Sequence, residues 1–275
     1  MKRLIFTLLH DRGRFMLSRN FRLQAVGTIR WLFENYDFET VSRGLDELMV
    51  LDVTRGDRDT AAFASAVSEI AQRCFIPLTA GGGVRSVDDA ALLLRHGADK
   101  VLVNTQFADA PEACDAIAGF FGRQCLVAGV DYVEAADGTR VVVAAHGQRD
   151  TGVPLAEWVE RVVAHGAGEV VLQSVARDGT GMGLDLEVTA SLGRRPEVPL
   201  ILLGGVGRGE HIAAGFRDEA VDAVATANLF NFIGESFVTA RREMIVQGLD
   251  VADWHAAEYR TLKGAFAPAD GGARA

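Results

Sequence analysis

The sequence predicts an α/β fold, a (βα)8 TIM barrel built from two (βα)4 halves, and three observations carry that expectation. The chain has 275 residues, the size of one such barrel and more than the ~100–200 residues of an ordinary domain. Short β-branched apolar runs alternate with segments of helical period, as in parallel strands joined by helices. The sequence also repeats itself at a displacement of 122 residues, with IPLTAGGGVRS from Ile76 echoed by VPLILLGGVGR from Val198, and DELMVLD by GEVVLQS, so that Glu47 falls on Glu169. A duplicated half closes into a barrel, whereas an open doubly wound sheet gives no reason for that displacement.

The strands are expected, in order, at Leu4 to Leu9, Glu47 to Val53, Ile76 to Ala80, Lys100 to Val103, Cys125 to Asp131, Glu169 to Ser174, Leu200 to Leu203 and Ala223 to Thr226. Helices are expected at Asp59 to Gln72, Val87 to His96, Pro111 to Phe120, Pro154 to His165 and His211 to Phe216. Several open on an acidic residue, Ser or Pro, the usual helix starts. Gly97, Gly166 and Gly193 are placed to end helices in the left-handed conformation. A hairpin-like stretch from Gly138 to Gln148 decorates the loop after the fifth strand. Residues 1–250 are read as one barrel and 251–275 as a C-terminal extension with a mobile tail from Ala267.

Lys and Arg number 28 against 37 Asp and Glu, a net charge of −9. That balance argues against nonspecific binding to nucleic acid or an anionic membrane, both of which need a positive face. Cys74, Cys114 and Cys125 form no CxxC pair, so neither a disulfide scaffold nor a structural zinc site is expected. No metal and no cofactor is expected. The N-terminal MKRLIFTLLHDRG holds an apolar run of only about six residues, too short for a signal-peptide core or a spanning helix, and the expected location is the cytoplasm.

Barrel chemistry belongs to the loops after the strand C-termini. There stand Gly81-Gly82-Gly83 and Gly204-Gly205 after the third and seventh strands, and Asn104-Thr105 and Ala227-Asn228 after the fourth and eighth. Glycine lets a backbone N–H approach an anion and Asn or Thr adds a donor, giving two quasi-equivalent phosphate cradles, with Asp178-Gly179-Thr180 beside the second. Plain turns are the alternative, but two pairs at matching strand ends favour a ligand with a phosphate at each end. Asp131 ends the fifth strand, as a general acid or base or as a cap on the next turn. Its symmetry mate Leu9 cannot move a proton, while Asp11, on the same strand face, can reach the mouth. Asp52 is either a further carboxylate of the mouth or an anchor for the first loop. Arg3, Glu47, Lys100 and Glu169 open apolar strands at the barrel bottom, where a salt-bridge ring reads first as stability.

FIPLTAGGGVRSVDDA, GADKVLVNT, ARDGTGMG and GGVGRGEH together resemble the cyclase subunit of imidazole glycerol phosphate synthase, and the similarity runs from Arg3 to about Asp250. In that family the barrel takes ammonia from a glutaminase docked on its bottom face and uses it on a bisphosphorylated substrate at the top. The resemblance places phosphate sites on Gly83, Asn104 and Thr105, and on Asp178, Gly179, Gly205, Ala227 and Asn228. It makes Arg3, Glu47, Lys100 and Glu169 the gate of the ammonia route, Asp99 an interface residue and Asp131 catalytic. Two departures stand out: Leu9 occupies the place of the family's first catalytic aspartate, and Leu17 that of the lysine on its mobile first loop. A positioned acid or base contributes ~10²–10⁴-fold, so the usual cyclisation is expected to be weak unless Asp11 supplies the second carboxylate.

The resemblance therefore implies an ammonia-accepting cyclase or synthase subunit of a glutamine amidotransferase, partnered by a glutaminase, with histidine biosynthesis as the default role. Leu9 and Leu17 point to the alternative, a paralogue delivering ammonia to a sugar amidotransferase of lipopolysaccharide or surface-polysaccharide synthesis. A third reading is a noncatalytic ammonia conduit and activator of the glutaminase. An unrelated phosphosugar isomerase barrel would not need the ring of charges.

Overall fold

The computed structural model describes residues 1–228 and 236–253. β1 (Arg3–Asp11) leads into a hairpin of β2 (Arg14–Arg19) and β3 (Arg22–Thr28), then α1 (Ile29–Asn35) and α2 (Phe38–Ser42). β4 (Glu47–Asp52), α3 (Thr60–Ala71), β5 (Leu78–Gly81), α4 (Val87–Arg95), β6 (Lys100–Val103), α5 (Gln106–Asp109) and α6 (Pro111–Phe121) complete the first half. The second half runs β7 (Leu126–Glu134), β8 (Arg140–Ala144), β9 (Arg149–Pro154), α7 (Leu155–Ala164), β10 (Glu169–Ser174), α8 (Val188–Ser191), β11 (Leu200–Leu203), α9 (Gly209–Arg217), β12 (Ala223–Thr226) and α10 (Ser236–Val246).

Eight strands pair in parallel in the order β1-β4-β5-β6-β7-β10-β11-β12, and β12 returns to β1 through Arg3↔Ala223 and Phe6↔Thr226. The sheet therefore closes, and the expected (βα)8 barrel is the observed fold. All eight expected strands are present. The fifth starts one residue late, at Leu126, because Arg123–Cys125 form a turn of 3₁₀-helix. The duplication is also visible in the backbone: Gly82 and Gly204 have φ of +101° and +110°, and Gly83 and Gly205 of +73° and +93°.

Helix starts follow local chemistry. Asp59 accepts from the Ala62 N–H at 2.9 Å, and Ser86 Oγ accepts from the Asp89 N–H at 3.2 Å, each satisfying a donor that the first helical turn leaves free. Gly97, Gly166 and Gly193 take φ of +101°, +89° and +70° after helix ends, as expected. The hairpin expected at Gly138 to Gln148 extends to Pro154, because β7 runs on antiparallel to β8.

Alternation along each strand sorts the core into two shells. Leu4, Phe6 and Leu8 of β1 face outward into the layer between sheet and helices. Ile5, Met49, Leu102, Val127, Val171, Ile201 and Leu203 fill the barrel lumen. Cys74, Cys114 and Cys125 are free thiols. Among the described residues no helix is long and apolar enough to cross a membrane.

Of the expected C-terminal extension, 254–275 lie outside the described residues. Leu249–Val251 run beside the N-terminus, where the Lys2 N–H donates to Asp250 O at 2.6 Å.

Candidate active site

The loops after the barrel strands converge on a cavity of about 390 Å³. Its floor is the upper lumen, formed by Leu9, Leu51, Leu102, Gly129, Val171 and Leu203. Asp131 stands on its wall, 7% exposed, and Asn104 Nδ2 donates to its Oδ2 at 2.9 Å. Burial disfavours the anion and pushes the carboxyl up to about 7, against the lowering effect of the Asn104 hydrogen bond. A group poised there gives or takes a proton at neutral pH.

One end of the cavity is the first glycine cradle. Gly82, Gly83, Asn104 and Thr105 line it together. A side chain on Gly82 would lie 2.1 Å from the Asp52 carbonyl oxygen, so the left-handed turn and the tight approach both require glycine there. Arg55, Arg58, Arg85 and His146 line the same end. Arg58 lines the cavity, and its buried Nε, which makes no hydrogen bond, forms an ion pair with Asp52 Oδ2 at 3.4 Å. Burial, then the charges of Arg58 and Arg55, lower the His146 pKa. Asp52 also accepts from the Thr54 N–H at 3.0 Å, which makes it both a cavity wall and the anchor of the loop after β4.

Two hairpin tips roof this end. Phe21, between β2 and β3, and His146, between β8 and β9, both have left-handed backbones, at φ +61° and +60°, a conformation that costs free energy in a residue with a side chain. The Ala145 N–H donates to Thr105 Oγ1 at 3.3 Å and Arg55 Nη2 to Phe21 O at 2.6 Å, holding both tips over the cavity. The arginines and the β2–β3 half of the roof escaped sequence reasoning, while the other half is the hairpin expected after the fifth strand. Their one visible signal was three arginines directly after the β4 and β5 strand ends.

The second set of residues lies outside the cavity lining. The β2–β3 tip covers it: Ser18 Oγ donates to Asp178 Oδ2 at 2.5 Å, the Phe21 N–H donates to the same oxygen at 2.9 Å, and the Asn20 N–H donates to Asp178 O at 3.0 Å. Burial raises the Asp178 pKa, and the Ser18 and Phe21 hydrogen bonds oppose it. Gly179 packs beneath the Ser18 carbonyl, and Gly205 O accepts from the Gly183 N–H at 2.8 Å. Ala227 and Asn228 follow β12, where the Asn228 N–H donates to Thr226 Oγ1 at 3.3 Å.

Leu9 lines the cavity, 5% exposed. Asp11 stands off the lining, its Oδ1 accepting from Thr54 Oγ1 at 2.9 Å. Leu17 packs on the outer core and is also off the lining. Among the described residues no cluster of three His, Cys, Asp or Glu side chains is arranged as metal ligands.

At the opposite end of the lumen the four charged residues close into a cycle. Arg3 reaches Glu47 at 2.9 Å, Glu47 meets Lys100 at 2.9 Å, Lys100 meets Glu169 at 3.0 Å, and Glu169 returns to Arg3 at 3.2 Å. Thr79 Oγ1 donates to the remaining Glu47 oxygen at 2.6 Å. Burial works against the Arg3 charge, yet Glu169 and Glu47 raise its pKa on balance. Asp99 lies just outside this ring, exposed, with Oδ2 accepting from the Leu78 N–H at 2.8 Å.

Fold and site define the class: a duplicated (βα)8 barrel with a deep cavity at the C-terminal mouth and a closed ring of charges beneath its lumen. The chain belongs to the histidine biosynthesis protein family, whose model matches residues 32–235. It is 39% identical, over 242 residues, to a protein of Parasynechococcus marenigrum (strain WH8102) provisionally named imidazole glycerol phosphate synthase subunit hisF2. The match covers 88% of this chain and 90% of that relative.

Proposed function

We propose that this barrel is the ammonia-accepting, cyclase-type subunit of an imidazole glycerol phosphate synthase-like glutamine amidotransferase. One observation carries the reading: a ring of two cations and two carboxylates closes the lower lumen, directly beneath an apolar lumen core whose upper residues floor the cavity that holds Asp131. Buried ion pairs are a poor route to stability, since apolar residues of similar volume often serve as well. A ring that can part and close serves passage of a small neutral molecule.

The phosphorylated acceptor seats one phosphate on Gly83, Asn104 and Thr105, assisted by Arg58, Arg55 and Arg85. Its second phosphate goes to the Asp178-Gly179, Gly205 and Ala227-Asn228 side once the β2–β3 tip withdraws. Ammonia adding to a carbonyl carbon of the acceptor opens the C=O π bond, whose electron pair moves to oxygen, and the proton that the new C–N nitrogen must lose goes to the Asp131 carboxylate. The glutaminase docks on the bottom face around Asp99, where Phe75 and Phe120, on segments entering β5 and β7, are 86% and 73% exposed. Exposed aromatic side chains of this kind can anchor an interface once a partner covers them.

Leu9 favours a second reading of the acceptor. With an apolar side chain where a second carboxylate would serve cyclisation, nitrogen delivered to the mouth suits a sugar amidation step of polysaccharide synthesis. The test is to mix the barrel with its co-encoded glutaminase and follow glutamine hydrolysis as the bisphosphorylated histidine-pathway substrate is added. Complex formation with stimulated hydrolysis and cyclised product supports the main reading, complex formation without product supports the second, and no complex refutes both.

A further inference from the structure

β1 sends alternate side chains into the lumen: Arg3 to the ring, Ile5 to the lumen core and Leu9 to the cavity. Thr7 shares their parity and stands in the lumen between the charge ring and the cavity. It is 0% exposed and its Oγ1 makes no hydrogen bond. The backbone at this point is committed to the sheet, where Thr7 is in register with Met49 of β4. Thr79 shows the ordinary solution for a buried lumen hydroxyl, donating to Glu47 at 2.6 Å. Among the described residues Thr7 has no such neighbour.

A buried hydroxyl without a partner is costly, and a valine would fill the same volume without that cost. The cost vanishes when a small guest both accepts from the hydroxyl and donates to it. We propose that Thr7 Oγ is a station for one ammonia-sized neutral molecule between the charge ring and the cavity. Its O–H donates to the lone pair of the guest, and its oxygen accepts an N–H in return. An ion is refused, because the surrounding lumen is apolar and the hydroxyl offers no countercharge. That the guest is ammonia rests on the amidotransferase reading; that a polar guest sits here rests on Thr7 alone.

Crystal structures of the wild type, Thr7→Val and Thr7→Ser, at a resolution that shows ordered water, test the station directly. One solvent-sized peak within hydrogen-bond distance of Oγ is expected in the wild type and in Thr7→Ser and lost in Thr7→Val, which folds with unchanged or higher Tm. A wild-type lumen without the peak, or a peak that survives in Thr7→Val, overturns the station whatever the barrel does. The glutaminase complex tests transit through the ratio of glutamine-fed to ammonium-fed product. Thr7→Val is expected to lower this ratio roughly two- to tenfold, the worth of one hydrogen bond, with the ammonium-fed rate unchanged and Thr7→Ser restoring it. A peak at Thr7 with an unaltered ratio overturns the transit role. Lys100→Ala in parallel separates the cases, since an unaltered ratio there removes the ammonia route itself.

Discussion

Asn104 donates to Asp131 across 2.9 Å, so a residue of the first glycine cradle also positions the carboxyl of the cavity wall. In the proposed function, ligand binding at the cradle and proton transfer at Asp131 are thereby mechanically joined. Asp131→Asn keeps the acceptor for Asn104 but cannot exchange a proton. Turnover with ammonium is expected to fall ~10²–10⁴-fold, and the rise of activity with pH near about 7, where the carboxyl ionises, should disappear. An unchanged pH–rate profile would remove Asp131 from the chemistry.

The same carboxyl makes stability depend on pH in a defined direction. Its folded pKa of about 7 lies above the unfolded value near ~4, so across that window the folded state holds a proton the unfolded chain has released. This contribution is complete below pH ~4 and is lost as pH rises through about 7. Asp131→Asn should therefore match the wild type near pH 4 and exceed it at pH 8, by on the order of 4 kcal/mol. Urea unfolding at several pH values measures it, and a gap that shrinks as pH rises would contradict the assignment.

Leu9, at 5% exposure on the cavity floor, predicts slow turnover of the histidine-pathway substrate. Leu9→Asp restores a second proton-transferring group opposite Asp131 and should raise turnover at least tenfold, at a stability cost of roughly 2–5 kcal/mol for the lost core side chain and the buried carboxyl. Steady-state kinetics and thermal unfolding measure the two effects. Fast wild-type turnover would instead assign the second carboxylate to Asp11.

Anion binding should be unequal at the two cradles. The first lines the open cavity, while Ser18 and Phe21 lie across Asp178 at the second. Crystals in phosphate should show density first at Gly83, Asn104 and Thr105, and at the second site only with residues 18–21 displaced. Arg58→Ala should weaken phosphate binding at the first site by about tenfold, as loss of one charge-assisted hydrogen bond would. Density at the second site beneath an undisturbed tip would contradict this.

Much of the fold was legible in the sequence, because strands such as Leu200–Leu203 and Lys100–Val103 are buried apolar runs bounded by turn residues, and because the 122-residue repeat fixes closure. The β2–β3 hairpin was not. Its strands carry Arg14, Arg19 and Arg22, and its turn uses Asn20 and Phe21 at φ +49° and +61° where glycine would have announced it. The ring residues and the first cradle lie where their strand positions put them. The lean of the two hairpins and the arginines that line the cavity were hidden because they depend on tertiary packing, and Thr7 because an unpartnered hydroxyl exists only once the lumen has closed.

The proposed function requires ammonia to pass the ring, and Lys100, bridging Glu47 at 2.9 Å and Glu169 at 3.0 Å, is its most direct handle. The decisive measurement is the fraction of glutamine-derived nitrogen that reaches product in the glutaminase complex, wild type against Lys100→Ala, with bulk ammonium as control. A drop of about tenfold or more in that fraction, with the ammonium-fed rate and glutaminase docking intact, is the predicted result. Equal fractions in the two proteins would contradict it and leave the ring a purely structural plug.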